Sequence, residues 1–161
     1  MGGDITYLKV GRKWHYQTVF IDLFSRMIVG WNISDSLERH SVIKAFQKAI
    51  LRRRPAPGLL VHSDRGIQYA SRDFRAVLIR HGCVQSMSRK GNYWDNAVAE
   101  SFFHTLKTQF VRHQRFSRTY EAELALFRYI EVYYNRRRRH STNGWMSPAN
   151  FEQCQVISKV A

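Results

Sequence analysis

The spacing of hydrophobic residues changes near Ser36, and no other feature limits the possible folds as sharply. Before it, three segments rich in β-branched and aromatic residues read as strands: Asp4 to Val10, His15 to Leu23 and Met27 to Ile33. The breaks between them are short, a polar Gly11 to Lys13 turn and Ser25-Arg26, so the strands pair as antiparallel neighbours. After it, Val42, Ile43, Phe46, Ala49 and Ile50 fall on one helical face that stops before Pro55. Leu59 to His62 and Cys83 to Met87 read as short strands either side of a helix that Ser71 caps and Gly82 ends. A further helix is expected from Asn92 or Asp95 to about Phe110, after a mobile polar loop over Ser88 to Asn92. Another opens at Thr119 with Leu124, Phe127, Ile130 and Tyr134 on its inner face, and a short last one has Ser147 as cap and Pro148 in its first turn. A meander followed by strands that return through helices describes one α/β domain on a mixed five-stranded sheet.

The chain has 161 residues, 44% of them hydrophobic, which is enough for a buried core and argues against a disordered protein. Its net charge is +14, spread over both halves and not gathered in a tail, so a polyanion such as nucleic acid is the expected partner. Two cysteines without a CxxC motif, Cys83 and Cys154, exclude a disulfide scaffold and Cys-pair zinc motifs, and are expected to be small buried hydrophobes. No apolar run approaches the ~18–20 residues of a membrane span, so the expectation is a soluble cytoplasmic protein with no membrane partner.

Only 12 residues are acidic, which makes their placement informative. Asp4 lies in the first expected strand, Asp64 just past the carboxyl end of the fourth, where ligand sites of open α/β sheets gather. Glu100 lies on a helix whose same face carries Asn96, His104 and Lys107. Three carboxylates in a basic protein suit a pair of hard divalent ions, Mg²⁺ or Mn²⁺, for phosphodiester chemistry, although a surface stripe around Glu100 would read the same. Asp22 rivals Asp4 as the first carboxylate, and His62, two residues before Asp64, is expected to be a packing or supporting residue. For Arg52 to Arg54, a helix-end role and a phosphate role stand level.

Several segments go further. Asp-Ile-Thr-Tyr at 4–7, Ile-Asp-Leu-Phe-Ser-Arg at 21–26 and Val-Gly-Trp at 29–31 resemble the opening of a retroviral-integrase-like core. His62 to Tyr69, Ser86 to Asn92, Trp94 to Phe103 and Tyr134 to Ser141, with Ser147-Pro148, resemble the IS3-family insertion-sequence transposases in the order that family uses. Asp64 and Glu100 have 35 residues between them, the family's D,D(35)E spacing.

The resemblance implies an RNase H-like fold with extra C-terminal helices over about 119–155, within a single catalytic core spanning 1–161. It implies a site in which Asp4, Asp64 and Glu100 are the catalytic residues and the ligands of two Mg²⁺ or Mn²⁺ ions. The implied reaction is DNA cleavage at transposon ends, then attack of the freed 3′-hydroxyl on target DNA, through figure-eight and circular intermediates. The implied partners are transposon-end and target DNA, with a homodimer or larger assembly formed on DNA near the nucleoid. Lys107, His104, Asn96, Arg89, Lys90 and Arg136 to Arg139 are the expected DNA contacts; Trp31, Trp94 and Trp145 are expected to be packing residues. Relatives carry helix-turn-helix segments ahead of this core, and none precedes Asp4 here, so sequence-specific end binding is not expected. With Met1-Gly2-Gly3 ahead of Asp4, the first strand is expected to start at Asp4 and hold it weakly. A hydrolytic nuclease and a non-catalytic DNA-binding module are the competing functions.

Overall fold

The computed structural model describes residues 1–88 and 96–160. Strand β1 (Gly2–Val10) is the middle of a five-stranded sheet ordered β3-β2-β1-β4-β5. Strands β2 (Lys13–Ile21) and β3 (Ile28–Ser34) continue it as an antiparallel meander, while β4 (Leu60–Ser63) and β5 (Val84–Met87) add in parallel on the other side. The expected mixed sheet is present. One expectation is corrected: β1 begins two residues before Asp4. Gly2 and Gly3 pair with Ile21 and Phe20 on one side and with His62 and Ser63 on the other. Asp4 is therefore held inside a central strand.

Helices cover both faces of the sheet. Because side chains alternate along a strand, β2 sends Phe20 to one face and Val19 and Ile21 to the other. Phe20 packs with Phe46 of α1 (Arg39–Arg53) and Phe74 of α2 (Arg72–Arg80). Val19 and Ile21 pack with Phe102 and Leu106 of α3 (Ala97–Gln109) and with Ile130 beyond α4 (Thr119–Phe127). Helix α1 crosses β3 so closely that a Cβ on Gly30 would lie 2.2 Å from the Ala45 carbonyl oxygen. Ser71 caps α2 by accepting the Phe74 N–H, and Pro148 opens α5 (Pro148–Val160), with Ser147 accepting the Asn150 N–H. Among the described residues no helix is long and apolar enough to cross a membrane.

The end of α4 differs from expectation. It continues as a π-helical stretch, Arg128–Tyr134, in which the Asn135 N–H reaches back five residues to the Ile130 carbonyl. The buried stripe runs in steps of four through Ala122, Leu126, Ile130 and Tyr134. Leu124 and Phe127 lie off that stripe and are about half exposed.

Polar side chains of α1 and of the π-helical end cover the outer edge of β3. The Asn135 amide both accepts the Ile28 N–H and donates to the Ile28 carbonyl, each at 2.9 Å. Arg52 donates to the same carbonyl at 2.9 Å and Lys48 to that of Trp31 at 3.1 Å. Arg52 also pairs with Glu131 at 2.8 Å, and Arg53 with Asp22 at 3.0 Å and with Glu152. These two arginines of the 52–54 run are thus spent on carboxylates that tie α1 to the β2–β3 turn and the C-terminal helices.

Candidate active site

Strand register brings Asp4 and Asp64 together. Gly3 of β1 lies opposite Ser63 of β4, and one step further along both chains stand Asp4 and Asp64. Parallel neighbours lie roughly 4.8 Å apart, so this step sets the two carboxylates side by side. Asp64 Oδ1 accepts the Gly66 N–H at 2.9 Å. A Cβ on Gly66 would stand 3.0 Å from that same oxygen, so the turn closes over the carboxylate because residue 66 has no side chain.

Glu100 comes from a different element. Asp4 pairs with Val19 across β1 and β2, which puts its side chain on the face that α3 covers. Ala99 and Phe103 of α3 are buried against that face, and Glu100 between them is exposed in the first turn, where the helix dipole favours a carboxylate. Asn96, at the start of α3, does not cap the helix; its side chain hydrogen-bonds Asp4.

The electrostatics couple Asp4 to each of the other two acids. The Asp4 carboxyl is pushed up to about 7, chiefly by burial and further by the charges of Asp64 and Glu100. Hydrogen bonds from the Ile5 N–H, at 2.8 Å, and from Asn96 offset this in part. Among the described residues no Lys or Arg forms an ion pair with any of the three. Nor are they drawn to ligand distance: no group of three His, Cys, Asp or Glu stands close enough to hold a metal among the described residues. The donor set itself fits a hard divalent cation, whose charge would offset the burial and the neighbouring charges that raise Asp4. Tyr69 was not among the expected residues. Its ring packs with Phe20 and Phe74, among the described residues its buried hydroxyl has no partner, and its ionisation is pushed far up, by burial first and then by the charges of Asp4 and Asp64. The signal for it lay in the His62 to Tyr69 segment, read for its aspartate alone.

The remaining expectations sort by contact. His62 lies between two hydroxyls, Ser86 at 2.9 Å and Ser88 at 3.2 Å, and packs β4 against the end of β5. Asp22 stands just after β2 and not in a strand; it accepts the N–H groups of Phe24 and Ser25 and pairs with Arg53. His104 and Lys107 are exposed on α3, and Lys107 lines a groove with Tyr7, Lys9 and Trp14. Arg136, Arg137 and Arg139 are exposed, whereas Arg138 lies over the Tyr134 ring and donates toward His140. Trp31 is buried as expected, but Trp145 is 68% exposed and Cys154 is exposed, because both lie on the outer side of the C-terminal segment. Arg89, Lys90, Asn92, Trp94 and Asp95 lie outside the described residues.

Comparison with known proteins agrees with this architecture. Residues 1–93 match the family model for the Integrase core domain, and residues 100–156 match a second model of the same description. Over 150 residues the chain is 45% identical to the Transposase InsF for insertion sequence IS3A of Escherichia coli strain K12. That alignment covers 93% of this chain and 52% of the relative, so the chain spans about half the length of the curated relatives it matches. The simian T-cell lymphotropic virus intasome, solved in complex with PP2A regulatory subunit B56 gamma, superposes with a TM-score of 0.75 at 18% identity, covering 93% of this chain and 52% of that one. The HTLV-2 integrase catalytic core domain, solved in complex with magnesium, superposes with a TM-score of 0.68 at 16% identity and 93% coverage of both chains. The fold is therefore RNase H-like, a mixed five-stranded sheet with flanking helices. The chain belongs to the integrase core domain family.

Proposed function

We propose that this chain is the catalytic core of a DNA transposase of the insertion-sequence type, acting through Asp4, Asp64 and Glu100. The observation that carries the reading is the setting of Asp4: inside central β1 its carboxyl is pushed up to about 7, by burial first and then by the charges of Asp64 at the end of β4 and Glu100 on α3, in a chain of net charge +14. Asp4, Asp64 and Glu100 would hold two Mg²⁺ or Mn²⁺ ions, in keeping with the magnesium of the HTLV-2 core. When bound, such ions supply activation of the attacking oxygen and stabilisation of the leaving one.

The chain's own groups do the positioning. Asn96 and the Ile5 N–H hold the Asp4 carboxylate, and the Gly66 N–H holds that of Asp64. Lys107, His104, Arg89, Lys90 and Arg136 to Arg139 neutralise DNA phosphates, with Asn96 at the edge of that surface. Water opens a phosphodiester to leave a 3′-hydroxyl, and that hydroxyl attacks a second phosphodiester, so each step exchanges one P–O bond for another. Joining a pair of ends requires two or more copies on DNA.

The test is a joining assay: a labelled duplex with a free 3′-hydroxyl, a supercoiled plasmid as target, and Mn²⁺. The expected result is a joined product that disappears in Asp64→Asn and Glu100→Gln, together with a Mn²⁺-induced rise in melting temperature that both variants lose. Short fragments without joined product would assign hydrolysis alone. Salt-sensitive DNA binding with neither chemistry nor a metal-induced shift would make the chain a binding module.

A further inference from the structure

A cleft of about 380 Å³ lies between α3 and the loop after the π-helical segment, on a different side of α3 from Glu100. Its floor comes from Ala97, Val98 and Ser101, whose directions lie roughly 60–160° around the helix from Glu100 at about 100° per residue. Its rim carries Arg26, Arg138 and Arg139, and among the described residues no carboxylate lines it. Among the described residues none of these arginines forms an ion pair with an acid, in contrast to Arg52 and Arg53. Three guanidiniums around one concavity, none with an acid partner among the described residues, suit a phosphate, which takes their planar donors two at a time. His140, also in the lining, is held down to about 4, chiefly by burial and further by the charges of Arg138 and Arg26.

Trp145 supplies the second half of the site. It lines the cleft, yet 68% of it faces solvent. Its backbone is in the left-handed region, at φ +63°, which a bulky residue adopts at a cost. The loop that presents it is firmly built. His140 and Met146 form a bridge, the Trp145 N–H donates to the His140 carbonyl at 2.9 Å, and buried Asn143 donates to the Ser25 carbonyl at 2.7 Å. A large ring held outward on a strained, anchored loop beside these arginines has the make-up of a stacking platform.

The geometry points to a binding site for one unpaired nucleotide of a DNA strand, its base stacked on Trp145 and its phosphate among Arg26, Arg138 and Arg139. This rests on the reading that the chain acts on DNA, and adds that it takes hold of a strand end that has left the duplex.

Fluorescence anisotropy of two labelled duplexes, one blunt and one with a short single-stranded extension, tests it. The readout is the ratio of their affinities within each protein, which removes general losses of binding. The native chain is expected to favour the extended duplex by about ten-fold, the scale of one base stacked on an aromatic ring. Trp145→Gly suits the left-handed backbone and should fold; it is expected to bring the ratio to within about two-fold of one, while Trp145→Phe keeps most of the preference. Arg139→Ala, on an exposed side chain, is expected to lower the ratio as well. A ratio near one in the native chain, or one that survives in Trp145→Gly, overturns the site and leaves duplex binding intact. Failure of the native chain to bind either duplex at low salt overturns the DNA reading as well.

Discussion

Arg52 and Arg53 at the end of α1 and Arg136 to Arg139 beyond α4 are both arginine runs that close a helix, yet they meet opposite surroundings. The first pair is consumed. Arg52 binds Glu131 and the edge of β3, and Arg53 binds Asp22 and Glu152, the latter 99 residues away in sequence. The second run has no acid to bind among the described residues, and Arg138 instead lies on Tyr134 and against His140. Composition cannot separate the two. What separates them is where the fold delivers carboxylates, and a basic side chain left without one is available to an external anion.

The contrast can be broken most directly on DNA. Replacing Arg136 to Arg139 together by Gln is expected to weaken duplex binding by roughly 10²-fold or more. It should also flatten the slope of log affinity against log salt by about 0.9 for each phosphate that is no longer neutralised; Arg52→Gln should leave that slope alone. Stability should respond the other way. Arg53→Ala leaves Asp22 and Glu152 without their shared cation and is expected to cost about 2–3 kcal/mol in urea denaturation, whereas Arg137→Ala stays within about 0.5 kcal/mol.

Asp4 extends the contrast to acids. Its proton affinity in the folded chain exceeds the ordinary value, so its contribution to stability is best below pH about 4 and is lost as pH rises to about 7. Asp4→Asn should therefore raise the melting temperature at pH 8, by an amount equivalent to about 2 kcal/mol, with no gain at pH 4. No rise at pH 8 would mean that burial and the neighbouring acids penalise the Asp4 charge less than their placement implies. The smallest effect is expected at the partly exposed Arg52–Glu131 pair, where Glu131→Gln should cost about 0.5–1 kcal/mol, checked by thermal melting.

The sequence of strands and helices along the chain and the helix caps at Ser71 and Ser147-Pro148 were legible because each is written in local spacing, whereas Asp4, Asp64 and Glu100 stood out together only through the family resemblance. Long-range partners were not. Nothing near Arg53 announces Glu152, and nothing near Asn135 announces that its amide will act as a strand against Ile28. The π-helical stretch after Phe127 moved the inner face of α4 off Leu124, since a widened turn breaks the period on which such a face is read. Gly2 and Gly3 escaped as strand residues because glycine has weak strand preference alone, and pairing on both sides outweighs it. Within the site, the carboxylates were visible as residue types, but the Asp4–Asp64 register and the Tyr69 hydroxyl belong to tertiary structure.

The covering of β3 by Asn135, Arg52 and Lys48 bears on how copies of the domain meet. An uncapped rim strand is a template onto which any extended segment can zip, and crowded copies would fuse through it into continuous ribbons. Here the N–H and carbonyl of Ile28 and the carbonyl of Trp31 are already taken by side chains from the same molecule. Crowding therefore leaves the sheets separate along this rim, and any association there has to be made by complementary surfaces, which can be specific and undone.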